Sequence, residues 1–169
     1  PISDSVDINP KRELKKGNTS KYVSMGYLKE YNKKIQGCIS RGYNGGAKFK
    51  NGDTIMARIT PCLENGKTAF VDILENNEIG AGSTEFIVLT GKDGITTSDY
   101  VYYLAISPDI RALAIKSMTG TSGRQRVDDS LFKSIEVSIP PLLEQRRISK
   151  ILSDLDEKIE LNNKMNKTM

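Results

Sequence analysis

The sequence predicts an α+β protein, with a mixed, mostly β domain over residues 1–139 followed by a long coiled-coil helix over residues 140–169. Three observations carry that prediction. Short alternating or β-branched apolar runs, bounded by Gly, Asn and Pro, fill much of the first ninety positions. Two helix-start signals follow, at Ser98-Asp99 and at Ser107-Pro108. Beyond Pro141 there is neither Gly nor Pro, and a stripe recurs at alternating spacings of four and three.

Taken in order, residues 1–20 are polar and turn-rich and read as a largely extended opening segment. Lys21–Leu28 has strand character, and residues 41–53, RGYNGGAKFKNGD, read as tight turns or a loop with positive φ. From Asp53 to Ile59 the residues alternate, Ile55, Ala57 and Ile59 against Met56 and Arg58, as in a half-buried strand ended by Pro61. Lys67–Leu74 and Ser83–Leu89 are two more strands, separated by the turn-like ENNEIGAG. Ser98 or Asp99 is expected to cap a helix through YVYYLAIS. Ser107 is expected to cap a second, with Pro108 at its first position and an end near Lys116. MTGTSGRQR reads as a polar loop, Asp128–Lys133 as a short turn and Ile135–Ile139 as a strand.

After Pro140-Pro141 the seam consists of Ile148, Leu152, Leu155, Ile159, Asn162, Asn166 and Met169. Three heptads with charged residues between them call for a partner helix. Asn162 and Asn166 are poor core residues but fair selectors of register and partner. The competing arrangement is an amphipathic helix packed by its apolar stripe against its own domain.

Composition narrows the chemistry. The chain of 169 residues is 37% apolar and 27% charged, enough for one buried core, and no apolar run approaches the ~20 residues that cross a bilayer. The opening PISDSVDINPKR lacks a charged-then-apolar signal, so a cytoplasmic location is expected, and the missing initiator Met points to a piece of a longer chain. There is no histidine, which removes the Ser-His, Cys-His and HExxH constellations and weighs against an enzyme. Cys38 and Cys62 are too few for a disulfide framework or a CxxC zinc site. Gly66-Lys67-Thr68 is not a phosphate-binding loop, because Pro61 stands where that motif requires glycine. Pro140-Pro141-Leu142 lacks the polar residue and the aromatic of a methyltransferase motif, so no cofactor is expected. The paired carboxylates, Asp128-Asp129 and Asp154 with Asp156-Glu157, are explained by capping and solvation rather than by a metal.

Charge is segregated. Residues 10–50 hold eleven Lys or Arg against two Glu, whereas residues 51–100 hold three against eight acids. A concentrated basic segment suits a polyanion through counterion release, although a solvated polar face is the plainer reading. The loop Gly120-Thr121-Ser122-Gly123-Arg124-Gln125-Arg126 combines backbone freedom, small hydroxyls and two guanidinium groups without an acid. That mixture suits phosphate oxygens or the O6 and N7 edge of guanine.

The segments KFKNGDTIMARITPCLENGKTAFVD, GAGSTEFIVL and GTSGRQRVDDSLFKSIEVSIPPLLEQRRI, with the helix after them, stand in an order that resembles the specificity subunit of type I restriction–modification enzymes. The resemblance runs from about Asn9 to Met169 and covers one target-recognition domain and its spacer helix; IPPLLEQRRI is its most specific part. It implies a non-catalytic subunit that clamps double-stranded DNA and recruits methyltransferase subunits and, through them, a restriction subunit. In that family two domains held apart by antiparallel helices read the halves of a split target. Only one domain and one helix are present here, so a second half or a second copy must complete the pair. Loop side chains expected to read bases are Tyr43, Asn44, Arg58, Asn65, Lys67, Thr121, Ser122, Arg124 and Arg126, with Lys48 and Lys50 on phosphates. Ile148, Leu152, Leu155, Ile159 and Asn162 would hold the partner helix. The competing function is a coiled-coil interaction adaptor without DNA specificity.

Overall fold

The computed structural model describes residues 1–168, so the seam position at Met169 lies outside the described residues. Eight strands form two sheets: Val6–Ile8 (β1), Thr19–Val23 (β2), Ile39–Gly42 (β3), Ala47–Phe49 (β4), Thr54–Ala57 (β5), Thr68–Phe70 (β6), Gly80–Gly82 (β7) and Phe86–Gly91 (β8). The first sheet has the order β1-β8-β5-β6 and is antiparallel throughout. The second has the order β3-β2-β7-β4, with β2 and β7 parallel and the other pairs antiparallel. Three helices follow, Ser98–Ile106 (α1), Pro108–Lys116 (α2) and Asp129–Lys133 (α3), and a small hairpin of Met118–Thr119 (β9) and Arg126–Val127 (β10) joins the last two. Leu142–Thr168 (α4) is one continuous helix. The class is the α+β arrangement expected.

Two apolar cores explain the layering. Met56, Ile87 and Leu89 project from the first sheet toward Val101 and Ala105 of α1, Ile110 of α2 and Phe132 of α3. Their chain neighbours Ile55, Phe86 and Val88 point the other way, toward Val23 and Phe49 of the second sheet. The first sheet is therefore sandwiched. The alternation expected in β5 is real, but all four of its residues are buried, so the half-buried reading is corrected. A side chain alternating with an apolar neighbour on a doubly covered strand leaves no polar face to betray the burial. Close approach requires glycine: between the sheets a Cβ on Gly82 would lie 2.8 Å from the Phe86 ring, and within the second sheet one on Gly46, at φ 104°, would collide with the Gly82 carbonyl oxygen.

Other boundaries shift for nonlocal reasons. The opening segment is not simply extended, because Ile2 and Val6 are buried in the helical core and β1 pairs with β8. The strand expected over Lys21–Leu28 starts and ends earlier, and a short 3-10 turn, Met25–Tyr27, follows it. The loop expected over residues 41–53 contains β4, and the last residues of ENNEIGAG form β7. The strand expected over Lys67–Leu74 is reduced to β6, and that over Ser83–Leu89 shifts to Phe86–Gly91. MTGTSGRQR spans β9, the hairpin turn and the start of β10 rather than forming a free loop. Ile135–Ile139 joins no ladder; the Ile2 N–H donates to the Ile135 carbonyl at 2.7 Å. The Ser107 cap with Pro108 is as expected, and the cap of α1 is Thr97 rather than Ser98 or Asp99; the short turn expected over Asp128–Lys133 is instead helix α3, because the Asp128 carboxylate caps it through the Ser130 and Leu131 N–H groups and Phe132 is buried in the core.

The orientation of α4 is decided by polar contacts. Gln145 and Ser149 are its buried residues, and Ser153, Asp156 and Glu160 continue the same face in partial burial. Ile151, Leu155 and Ile159, at 63%, 50% and 59% exposure, look outward. From Leu155 onward the apolar stripe is therefore not packed on the chain's own domain, while Ile148 and Leu152 are partly buried.

Candidate nucleic-acid interface

The strand ends and loops on one side of the sandwich enclose a cleft of about 570 Å³. Its cations are Lys11, Arg12, Lys48 and Arg58, its floor is Phe86 and Val88, and Thr84 stands among its lining residues; among the described residues none of the lining side chains is acidic. Two of the four cations are already held by carboxylates behind them. Arg12 donates to Asp53 at 2.7 and 2.9 Å, and Thr90 donates to the same carboxylate at 2.7 Å. Burial pushes the Asp53 carboxyl above its ordinary value, against the Lys50 N–H, the Thr90 hydroxyl and the Arg12 charge. Arg58 donates to the Val127 carbonyl at 2.8 Å and pairs with Asp129 at 3.0 Å. These guanidinium groups are thus fixed in place, while Lys11 is exposed and Lys48 is tied by its Nζ to the Arg12 carbonyl at 3.0 Å.

Several expected residues converge here. Tyr43 and Asn44 occupy the β3–β4 turn, and the Lys48 ammonium lies 5.1 Å from the centre of the Tyr43 ring. The β9–β10 hairpin adjoins the cleft because Ile59 bridges to Arg126 and the Val127 N–H donates to the Arg58 carbonyl at 2.8 Å. Thr121, Ser122 and Arg124 are exposed at its tip. Arg126 pairs with both Glu85 oxygens, 2.6 to 3.0 Å away, and that carboxylate raises the guanidinium's pKa further.

Other expected residues stand apart from the cleft. Asn65 and Lys67 belong to the turn before β6, where Lys67 donates to the Met25 carbonyl at 3.4 Å and Arg111 stacks 5.0 Å from the Tyr31 ring. Lys50 is exposed beside Asp53, to which its backbone N–H donates at 2.8 Å. Lys11, Arg12, Thr84 and Glu85 were not singled out. The first two lie in the basic segment, but nothing local distinguishes them from its other cations, and Glu85 enters only through pairing across the fold.

Ile148 and Leu152 are partly buried, whereas Leu155, Ile159 and Asn162 are exposed along α4. No helix among the described residues is long and apolar enough to cross a membrane, and no group of three His, Cys, Asp or Glu side chains there could hold a metal ion.

Comparison with known proteins gives a consistent family. Residues 4–169 match the model of the type I restriction modification DNA specificity domain. The chain is 37% identical over 110 residues to the type I restriction enzyme EcoAI specificity subunit of Escherichia coli, covering 65% of this chain and 18% of that protein. It is 30% identical over 162 residues to the EcoEI specificity subunit of Escherichia coli, covering 91% of this chain and 27% of that protein. The chain thus spans about a quarter or less of these curated relatives. In fold it resembles the HsdS subunit from Thermoanaerobacter tengcongensis, with a TM-score of 0.71 at 22% identity, over 88% of this chain and 38% of that one.

Proposed function

The chain belongs to the type I restriction modification DNA specificity domain family, and from that premise we propose that it reads one half of a split DNA target as part of a specificity subunit. Residues 1–139 serve as the recognition domain and residues 140–169 as the helix that sets its distance from a second domain. The observation that carries this reading is the acid-free cleft of Lys11, Arg12, Lys48 and Arg58 beside the arginine hairpin. Cations near phosphates release condensed counterions, which gives affinity, and pre-fixed guanidinium groups can pair with guanine edges, which gives sequence preference. The chain supplies binding and no bond-making step. Methyltransferase subunits, and a restriction subunit through them, supply the chemistry, and a second copy or second half supplies the other half-site.

The test is duplex binding across a salt series, by the chain alone and with its methyltransferase subunit. We expect weak binding alone, much tighter binding in the assembly, and a log-log fall of affinity with salt. Absence of duplex binding in the assembly, or binding indifferent to salt, would overturn the proposal and favour an interaction adaptor built around α4. Sequencing of methylated sites in cells carrying the assembly then gives the target.

A further inference from the structure

Polar contacts near the start of α4 and again about three turns on help to hold it to its domain. At its start, the fully buried Gln145 accepts from the Thr97 N–H at 2.9 Å and donates to the Ile95 and Pro140 carbonyls, both at 2.8 Å. Further along, the Tyr103 hydroxyl donates to Asp156 at 2.7 Å and lies 3.0 Å from the Ser153 hydroxyl. The Lys33 ammonium donates to Ser153 at 3.2 Å and pairs with Asp99 at 3.3 Å. It sits 4.9 to 5.4 Å from the centres of the Phe70, Tyr102 and Tyr103 rings. Lys34 and Glu160 add an ion pair at 2.6 Å one turn on.

From Gln145 to Asp156 the axis runs about 16 Å at ~1.5 Å per residue, so the helix is fixed at two well-separated places. One contact alone would allow it to swing. Between them Ser149 is buried, with Ile148, Leu152 and Ser153 partly buried beside it, and hydrogen bonds enforce distance and direction where apolar packing tolerates sliding. Resting on the DNA-reading proposal, we infer that Lys33, Tyr103 and Asp156 form a latch that fixes the angle of α4 on its domain and are positioning residues for the spacing between half-sites. The lever is long. From Gln145 to Thr168 the helix extends about 35 Å, so a tilt of about 10° displaces one end relative to the other by ~6 Å, nearly two base-pair steps of ~3.4 Å.

The test combines Tyr103→Phe with Asp156→Ala in the full specificity subunit, assembled with its methyltransferase subunit, and leaves the Gln145 anchor intact. A library carrying both half-sites with spacers of different length is methylated and sequenced. We expect unchanged half-site sequences and a loss of roughly tenfold in preference for the wild-type spacer over its neighbours, the scale of one charge-assisted hydrogen bond. Asp156→Asn, which retains an acceptor for the Tyr103 hydroxyl, should keep the wild-type preference. Lys33→Met, which retains the aliphatic stem against the rings, provides a second loosened variant should the double substitution misfold. Spin labels at exposed residues 116 and 164, in a background with every cysteine replaced by Ser, should give a broader distance distribution when the latch is cut. Native half-site recognition with an unchanged spacer preference, or an unchanged distance distribution, overturns the latch alone. Failure of the wild-type assembly to select any half-site overturns the DNA reading and the latch with it.

Discussion

Arg124 and Arg126 stand two positions apart on one hairpin but in different electrostatic settings. Arg124 is exposed at the tip, whereas Arg126 is neutralised by Glu85. Replacing both by Ala should weaken duplex binding roughly tenfold or more and lower the salt slope by about one to two, with the fold and self-association intact. Arg126→Ala should be the more damaging single change, because it leaves the Glu85 carboxylate facing phosphate, and adding Glu85→Ala should recover part of the loss; equal single effects with no recovery would count against this pairing. Unfolding of the double arginine variant would instead make the hairpin structural. The other residue-scale case is Asp53, fully buried and acting as acceptor for Arg12, Thr90 and the Lys50 N–H. Asp53→Ala strands the Arg12 guanidinium beside the cleft and should cost about 3 kcal/mol. Denaturant titration checks this, and a change below ~1 kcal/mol would show that water replaces the carboxylate.

Among the elements, α3 depends on a single titrating cap. The Ser130 hydroxyl first, then the Leu131 and Ser130 N–H groups and the Arg58 charge, hold the Asp128 carboxyl below its ordinary value near 3.8. A group lowered on folding stabilises the native state above its unfolded pKa and loses that contribution as pH falls through the folded value. Amide exchange of residues 129–133 should therefore speed up relative to the rest of the domain as pH falls below about 3.8. Asp128→Asn keeps an acceptor but cannot titrate, so its exchange should vary less between pH 3 and pH 5, and an identical acid response would remove the cap as the cause. Local signals gave some element boundaries but not all: Ser107-Pro108 begins α2 as expected, whereas α1 is capped by Thr97 rather than by Ser98 or Asp99. They were illegible at β4 and β7, three residues each, whose strand character comes from pairing with one another and with β2 rather than from their own side chains.

At the scale of the whole molecule, Leu155 and Ile159 face solvent, and on the proposed function they pack against a partner helix. Leu155→Asp with Ile159→Asp should abolish self-association in sedimentation while leaving the domain's thermal transition in place, since both side chains are already exposed. Removing one heptad from each of two antiparallel helices keeps the seam in phase and brings the domains closer by ~10.5 Å, about three base pairs at ~3.4 Å. The preferred spacer should shorten accordingly or binding should fail, because the half-sites also rotate around the duplex; an unchanged spacer would refute the ruler. The sequence by itself determined the α+β class, the cap of α2, the heptad stripe and the concentration of cations before residue 51, since periodicity, capping and charge are written within a few residues. Only the tertiary structure decided that β5 is covered on both faces, that Arg58 and Arg126 meet Asp129 and Glu85, and that α4 turns its polar side to its own domain. Each of those outcomes depends on groups far apart in the chain, and no local pattern specifies which distant partner a side chain will meet.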